Sequence, residues 1–201
     1  MKEMVKAFSE YARVPQLKLD ALDMNRLVSE VLDLYRNEAA HVPIETQLDP
    51  RLPAIRADAG RLRQLLHNLI KNSIEAVGDV KDGKITITTR CVVDDDTKIA
   101  ELCVEDTGPG FAQALAGQMF EPYVTTKPRG SGLGLAIVKK IVEEHSGVVL
   151  AQNLPGGGAR ITVRLPHSGT DAGDENSESR PVPGNGSRWT QHAQQIKQSQ
   201  R

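Results

Sequence analysis

An α/β fold is predicted by three patterns in this chain of 201 residues. One is a long run of leucines and isoleucines at helical spacing. The second is two pairs of alternating strands, each pair joined by a turn-rich segment. The third is a glycine-led helix between those pairs. With 39% apolar residues the chain can bury one substantial core, and its turn-rich C-terminal stretch makes that core smaller than the length alone would allow. One domain followed by a tail is expected.

Val5, Phe8 and Ala12 sit at helical spacing, and Val14-Pro15 ends the pattern because the residue before proline avoids the α region. Asp23 is placed to cap a helix carrying Leu27, Val28, Val31, Leu32 and Leu34 to about Arg36. Residues 43–48 and 54–57 read as short strands around the turn Asp49-Pro50-Arg51-Leu52-Pro53. Asp58 then caps a long helix to about Val77, with Leu62, Leu65, Leu66, Leu69, Ile70 and Ile74 in one apolar arc.

Residues 84–93 and 98–106 alternate as a hairpin around Asp94-Asp95-Asp96. Ala100, Leu102 and Val104 share one face, so the period of two carries Asp106 onto that same buried face. A carboxylate there is costly unless something bonds it. A helix from Gly132 to about Ser146 follows, with Leu133, Ile137, Val138, Ile141 and Val142 inward and Gly147 as the residue after its C-cap. Residues 148–152 and 159–165 form a closing hairpin around Pro155-Gly156-Gly157-Gly158. Beyond His167, Gly, Ser, Asn, Asp, Gln and Pro dominate, so a disordered tail is expected. Within it, Trp189, Ala193 and Ile196 are spaced for at most a weak amphipathic turn.

Composition excludes several classes of function. A formal charge of −1 supplies no basic footprint for nucleic acid, and three Phe, three Tyr and one Trp supply no interleaved stacking platform. No apolar run approaches the roughly 18 residues that span a bilayer, and Met1-Lys2-Glu3-Met4-Val5 begins no signal peptide. A soluble, cytoplasmic chain without membrane contact is expected, whatever anchor a parent protein carries. Cys91 and Cys103 fit neither a disulfide framework nor a CxxC motif and read as packing thiols.

The chemistry concentrates in three places. On the long helix, Asn68, Asn72 and Glu75 fall within roughly 60° of one another beside the apolar arc, a polar stripe facing a cleft. Their oxygens are hard donors of the kind that hold Mg²⁺ together with phosphates and water. Asp106 can accept from an exocyclic amine such as adenine N6, and Gly108 and Gly110 let backbone approach a ring and pivot the loop that follows. Gly130, Gly132 and Gly134 precede a helix N-terminus, whose free amides and dipole suit phosphate, and Lys127 and Arg129 add charge. Two decoys fail. The glycines lack the GxGxxG spacing and follow no strand, and Gly78-Asp79-Val80-Lys81-Asp82-Gly83-Lys84 imitates a P-loop but continues with Ile85 into a strand.

Taken in order, these segments resemble the N, G1, F and G2 boxes of the ATP-binding catalytic domain of sensor histidine kinases. That Bergerat-fold family is shared with gyrase B, MutL and the Hsp90-type chaperones. The resemblance covers residues 17–166, with Phe120-Glu121-Pro122-Tyr123-Val124-Thr125-Thr126-Lys127 in the F-box place and Gly156-Gly157-Gly158-Ala159-Arg160 as the terminal glycine turn. Thr125-Thr126-Lys127 and the segment Phe8 to Pro15 look most like the nitrogen-regulation kinases of the NtrY or NtrB type.

The resemblance implies a two-layer sandwich in which a mixed sheet packs on three helices, with ATP between the Asn68/Asn72 helix and a lid over about 112–130. It implies Asn72 as the Mg²⁺ ligand and Asn68 beside the phosphates, these two being the catalytic residues. The nucleotide-binding set would add Lys71 and Glu75 on the same helix, and Asp106, Gly108, Gly110 and Phe111 after the strand. Thr126, Lys127, Gly130, Ser131, Gly132, Leu133 and Gly134 complete it. Hydrolysing relatives place a basic Glu where this chain has Asn68, which cannot act as a base, so hydrolysis is disfavoured.

Residues 1–14 resemble only the end of a dimerisation hairpin. No histidine followed by an acidic residue is present, because His41, His67, His145, His167 and His192 all precede other residue types. The resemblance therefore implies phosphoryl transfer to a histidine on a separate dimerisation domain of a homodimeric parent, with a response regulator downstream. A regulatory nucleotide-binding module without turnover and an anti-sigma-factor-type serine kinase are the competing readings.

Overall fold

The computed structural model describes residues 16–35, 42–78, 80–94, 97–112, 115, 117–125, 127 and 130–167. Residues 1–15 and 168–201, Arg36, His41, Thr126 and Arg129 lie outside them. The expectations placed there, namely the hairpin end, the tail and the Thr126 contact, are therefore not addressed by the fold.

Strand β1 (Asp20–Leu22) leads into α1 (Met24–Tyr35), β2 (Ile44–Leu48), β3 (Ile55–Ala57) and α2 (Ala59–Val77). Strands β4 (Ile85–Asp94) and β5 (Thr97–Asp106) precede α3 (Gly134–Glu144), β6 (Val148–Asn153) and β7 (Ala159–Pro166). Five strands form one sheet in the order β2-β4-β5-β7-β6, and β1 pairs separately with β3. β2 runs parallel to β4 and the other sheet pairs are antiparallel. The sheet is thus mixed, as expected, because the route from β2 through β3 and α2 is long enough to return β4 in the same direction.

One sheet face holds Ile85, Ile87, Leu102, Val104, Ile161 and Val163 against α1, α2 and α3, and this forms the core. Leu62, Leu65, Leu66, Leu69 and Ile70 of α2 supply its centre. The opposite face is polar. Arg90 and Arg164 flank Glu101, whose side chain is 1% exposed, and Arg160 pairs with Glu105 at 2.7 Å. On this face, charges are paired across neighbouring strands.

Local signals behave as their chemistry requires. Asp23 accepts from Arg26 N at 3.0 Å at the start of α1, and Asp58 accepts from Arg61 N at 3.0 Å at the start of α2. Within the decoy, Gly78 and residues 80–84 form turns leading into β4, with no helix after them. On α1, Leu34 is 61% exposed while Met24 is buried. One expectation needs correction. Helix α3 closes with Ser146, not Gly147, in the left-handed conformation (φ 56°), while Gly147 N bonds back to Val142 O at 2.8 Å. β1 was not expected, since three residues carry no period.

His145 ties two helices together. It is buried, its Nδ1 lies 2.7 Å from Ile141 O, and its Nε2 accepts from Asp58 N at 3.0 Å. Beside it, Arg61 on α2 donates to Glu144 on α3 at 2.6 Å. The end of α3 is thereby fastened to the start of α2.

Candidate functional site

Helix α2 and the first turn of α3 form two walls of a crease. A β-carbon placed on Gly134 would lie 3.4 Å from both Asn68 Oδ1 and Asn72 Nδ2. The glycine therefore marks where the amide pair meets the start of α3. Asn68 is held by donating Nδ2 to Gln64 O at 3.0 Å, which leaves its Oδ1 turned to the crease. At α3, Leu133 makes no side-chain cap, and the first intrahelical bond runs from Ile137 N to Leu133 O. The amides of Gly134, Leu135 and Ala136 are not used within the helix, a donor cluster suited to phosphate oxygens.

Asp106 ends β5 on the core side, 7% exposed, as its parity requires. Its Oδ1 accepts from Gly108 N at 2.9 Å and its Oδ2 from Ser73 Oγ at 3.3 Å. Burial pushes the carboxyl above its ordinary range, and the amides of Gly108 and Ala159, the Ser73 hydroxyl and the charge of Lys127 only partly offset it. Its partners thus offset only part of the cost of burying its charge. Glu75, Ala76 and Val77 of α2 and Thr107, Gly108 and Pro109 line an open groove beside it.

Two glycines make this end of the sheet possible. Gly158 has φ +97°, and any β-carbon there would strike Asp106 O. Gly110 has φ +78°, and its β-carbon would fall 2.7 Å from Asn153 Oδ1. Asn153 was not singled out in the sequence, yet its amide bonds both main-chain groups of Phe111.

The remaining candidates divide. Lys127 Nζ reaches Glu75 Oε2, bringing the loop's charge to the edge of the amide stripe. Gly130 N bonds Lys127 O, and Ser131 Oγ accepts from Leu133 N at 3.3 Å, so this segment folds back on itself before α3. Gly132 O accepts from Tyr123 N at 2.9 Å, holding the F-box stretch against the glycine segment. Lys71 is exposed on α2, one turn from Asn68 and from Glu75. Leu133 offers the crease only backbone, because its side chain is fully buried in the core. Phe111 packs partly against that core. Of the histidines described, His67 is engaged by Tyr35 Oη at 3.0 Å and His145 by the helix junction.

Among the described residues no group of three or more His, Cys, Asp or Glu side chains could hold a metal ion. A cation here would rest on amide oxygens and on phosphate, which fits Mg²⁺, a hard ion that keeps most of its waters. Among the described residues no helix is long and apolar enough to cross a membrane.

Residues 57–169 match the family model described as histidine kinase-, DNA gyrase B-, and HSP90-like ATPase. The sensor histidine kinase ZraS of Klebsiella oxytoca is 36% identical over 171 residues, covering 84% of this chain and 36% of that protein. The sensory histidine kinase/phosphatase NtrB of Rhizobium leguminosarum bv. phaseoli is 39% identical over 157 residues, covering 73% and 40%. This chain therefore spans little more than a third of the length of these relatives. The solved catalytic domain of the histidine kinase ThkA superposes with a TM-score of 0.66 at 30% identity, covering 75% of this chain and 96% of that one. ThkA in complex with the response regulator protein TrrA gives 0.69 at 29% identity, covering 83% and 47%.

Proposed function

This chain belongs to the family of histidine kinase-, DNA gyrase B- and HSP90-like ATPases, and from that membership we propose that it is the ATP-binding catalytic domain of a two-component sensor histidine kinase. Residues 17–166 form the domain in this reading. It moves the γ-phosphoryl group of ATP to a histidine on a dimerisation domain of a homodimeric parent, with a response regulator as the next acceptor. The parent is of the nitrogen-regulation type, and the domain works in the cytoplasm.

The meeting of Gly134 with Asn68 and Asn72, beside a buried Asp106 carboxylate, carries the reading. Asp106 accepts from the adenine amine. The first-turn amides of α3 and the side chain of Lys127 hold phosphate oxygens, and Lys127 exchanges Glu75 for them. Asn72 Oδ1 would hold Mg²⁺, which when bound neutralises charge between the phosphates. Asn68 orients the phosphates and, being an amide, takes no proton from water, so transfer to an acceptor side chain is favoured over hydrolysis.

Calorimetry with ATP and Mg²⁺ and a labelling assay test this together. The chain alone is expected to bind ATP and to label none of its own histidines. Mixed with a matching dimerisation hairpin, it should transfer label slowly in acid-labile, base-stable form, because no tether raises the effective concentration. Asn72→Ala should abolish that transfer. Robust acid-labile labelling of the chain alone would overturn the reading, and acid-stable labelling of a serine protein would support the anti-sigma-type kinase instead.

A further inference from the structure

Asn153 closes β6 and forms a two-way bond with the main chain of Phe111. Oδ1 accepts from Phe111 N at 2.7 Å and Nδ2 donates to Phe111 O at 2.8 Å. A side-chain amide here does what a neighbouring strand residue would do, although β5 pairs with β7 and not with β6. In the sheet register Asp106 faces Ala159, and Ala159 faces Asn153. The chain leaving Asp106 must therefore cross the end of β7 to reach Asn153. Gly158 leaves room for that crossing, and Gly110 turns the chain with no β-carbon to strike the Asn153 oxygen.

We propose that Asn153 is a positioning residue of the nucleotide site: through Phe111 it fixes the point from which the segment after residue 112 departs. The proposal rests on the ATP-binding reading above. Asn153 touches no nucleotide in this scheme. Phe111 is held three ways, by Asn153 at its amide, by Asn153 at its carbonyl, and by partial packing of its ring on the core. With that point fixed, the backbone between Asp106 and Phe111 is held at both ends, by the β5–β7 ladder at Asp106 and by Asn153 at Phe111. Asp106 lies four residues before Gly110, so the same anchor keeps the loop from drifting across the carboxylate.

Asn153→Leu removes both bonds at nearly constant size, and Asn153→Asp keeps the acceptor while losing the donor. In the nucleotide-free chain, Asn153→Leu should speed amide hydrogen exchange at residues 108–112 by roughly tenfold, the size of one lost hydrogen bond, with α2 and β5 still protected. Affinity for a non-hydrolysable ATP analogue with Mg²⁺ should fall about five- to tenfold while the melting temperature moves by no more than about 2 °C. A purely structural role would move the melting temperature and leave affinity per folded molecule unchanged. Asn153→Asp should fall between the two in both readouts, and it decides the matter if the leucine variant unfolds. Unchanged exchange at Phe111, or faster exchange with unchanged affinity, would overturn the proposal. If the unsubstituted chain fails to bind the analogue, the ATP-binding reading falls and the positioning role with it, whereas binding by that chain with equal binding by the variants removes the positioning role alone.

Discussion

Helix α2 has a carboxylate near each end, and the two are treated oppositely. At its start, Asp58 accepts from Arg61 N and Lys18 N, both at 3.0 Å. Burial pushes this carboxyl up, but the amides of Lys18, Arg61 and Gly60 together hold it below the ordinary range. Toward its end, Asp106 is buried against Ser73, and desolvation outweighs its partners. The helix dipole reinforces the difference, favouring a negative charge at the N-terminus and opposing one near the C-terminal carbonyls. Asp58 therefore stabilises the fold, whereas the charged form of Asp106 costs the fold stability. On the proposed reading, a ligand donor at Asp106 would offset that cost.

Asp106→Asn should break the comparison most sharply. Losing one charge-assisted hydrogen bond to adenine costs about 1.5–3 kcal/mol of ATP affinity, and preference for ATP over GTP should narrow. The nucleotide-free chain should be as stable as before or more so, since the amide can still accept from Gly108 N without carrying a buried charge. Calorimetry and a denaturant melt on the same variant measure both. A loss of stability with affinity intact would reverse the roles assigned to the two ends.

Asp58→Ala should do the opposite, at smaller size. Removing the N-cap should lower stability by about 1–2 kcal/mol, read as a shift in the denaturation midpoint, and ATP affinity per folded molecule should stay unchanged. A drop in affinity exceeding the loss of folded protein would show that the two ends of α2 are coupled.

The smallest effect lies in pH dependence. Asp106 has a raised folded pKa, so above the unfolded value of 3.8 the folded state retains a proton that the unfolded state has lost. Stability therefore falls as pH rises through that window, and the deficit persists at neutral pH. Asp58 has a depressed folded pKa, so its contribution is present above 3.8 and is lost as pH falls through the lower folded value. Melts from about pH 3 to about pH 7 should show the falling slope vanish in Asp106→Asn and the acid loss shrink in Asp58→Asn. Equal profiles in all three proteins would remove the electrostatic distinction.

Much of this was legible in the sequence wherever a period or a cap carries the information. The alternation of Ala100, Leu102 and Val104 was enough to bury Asp106, and the arc from Leu62 to Ile74 was enough to place Asn68 and Asn72 beside the core. What escaped depends on partners distant in sequence. β1 exists because Asp20 to Leu22 meet Ile55 to Ala57, and three residues cannot show a pattern by themselves. Asn153 stands before Leu154-Pro155-Gly156, where an asparagine reads as turn chemistry, and only the crossing at Gly158 brings it to Phe111. His145 sits at a helix end, and its bond to Asp58 spans 87 positions. Leu34 matched the apolar spacing of α1, yet helical spacing alone does not say how wide a buried stripe is.

The fastening of α3 to α2 through His145 and Arg61 has a kinetic consequence. The two helices that form the walls of the Asn72–Gly134 crease are thus held to each other at their far ends, so a ligand reaching only that crease meets walls whose spacing is already set. Little ordering entropy stands against its capture. An inhibitor confined there should associate quickly, since no rearrangement of the walls precedes its capture. Groups that extend past Phe111 would add contacts that must first be ordered, and should slow association.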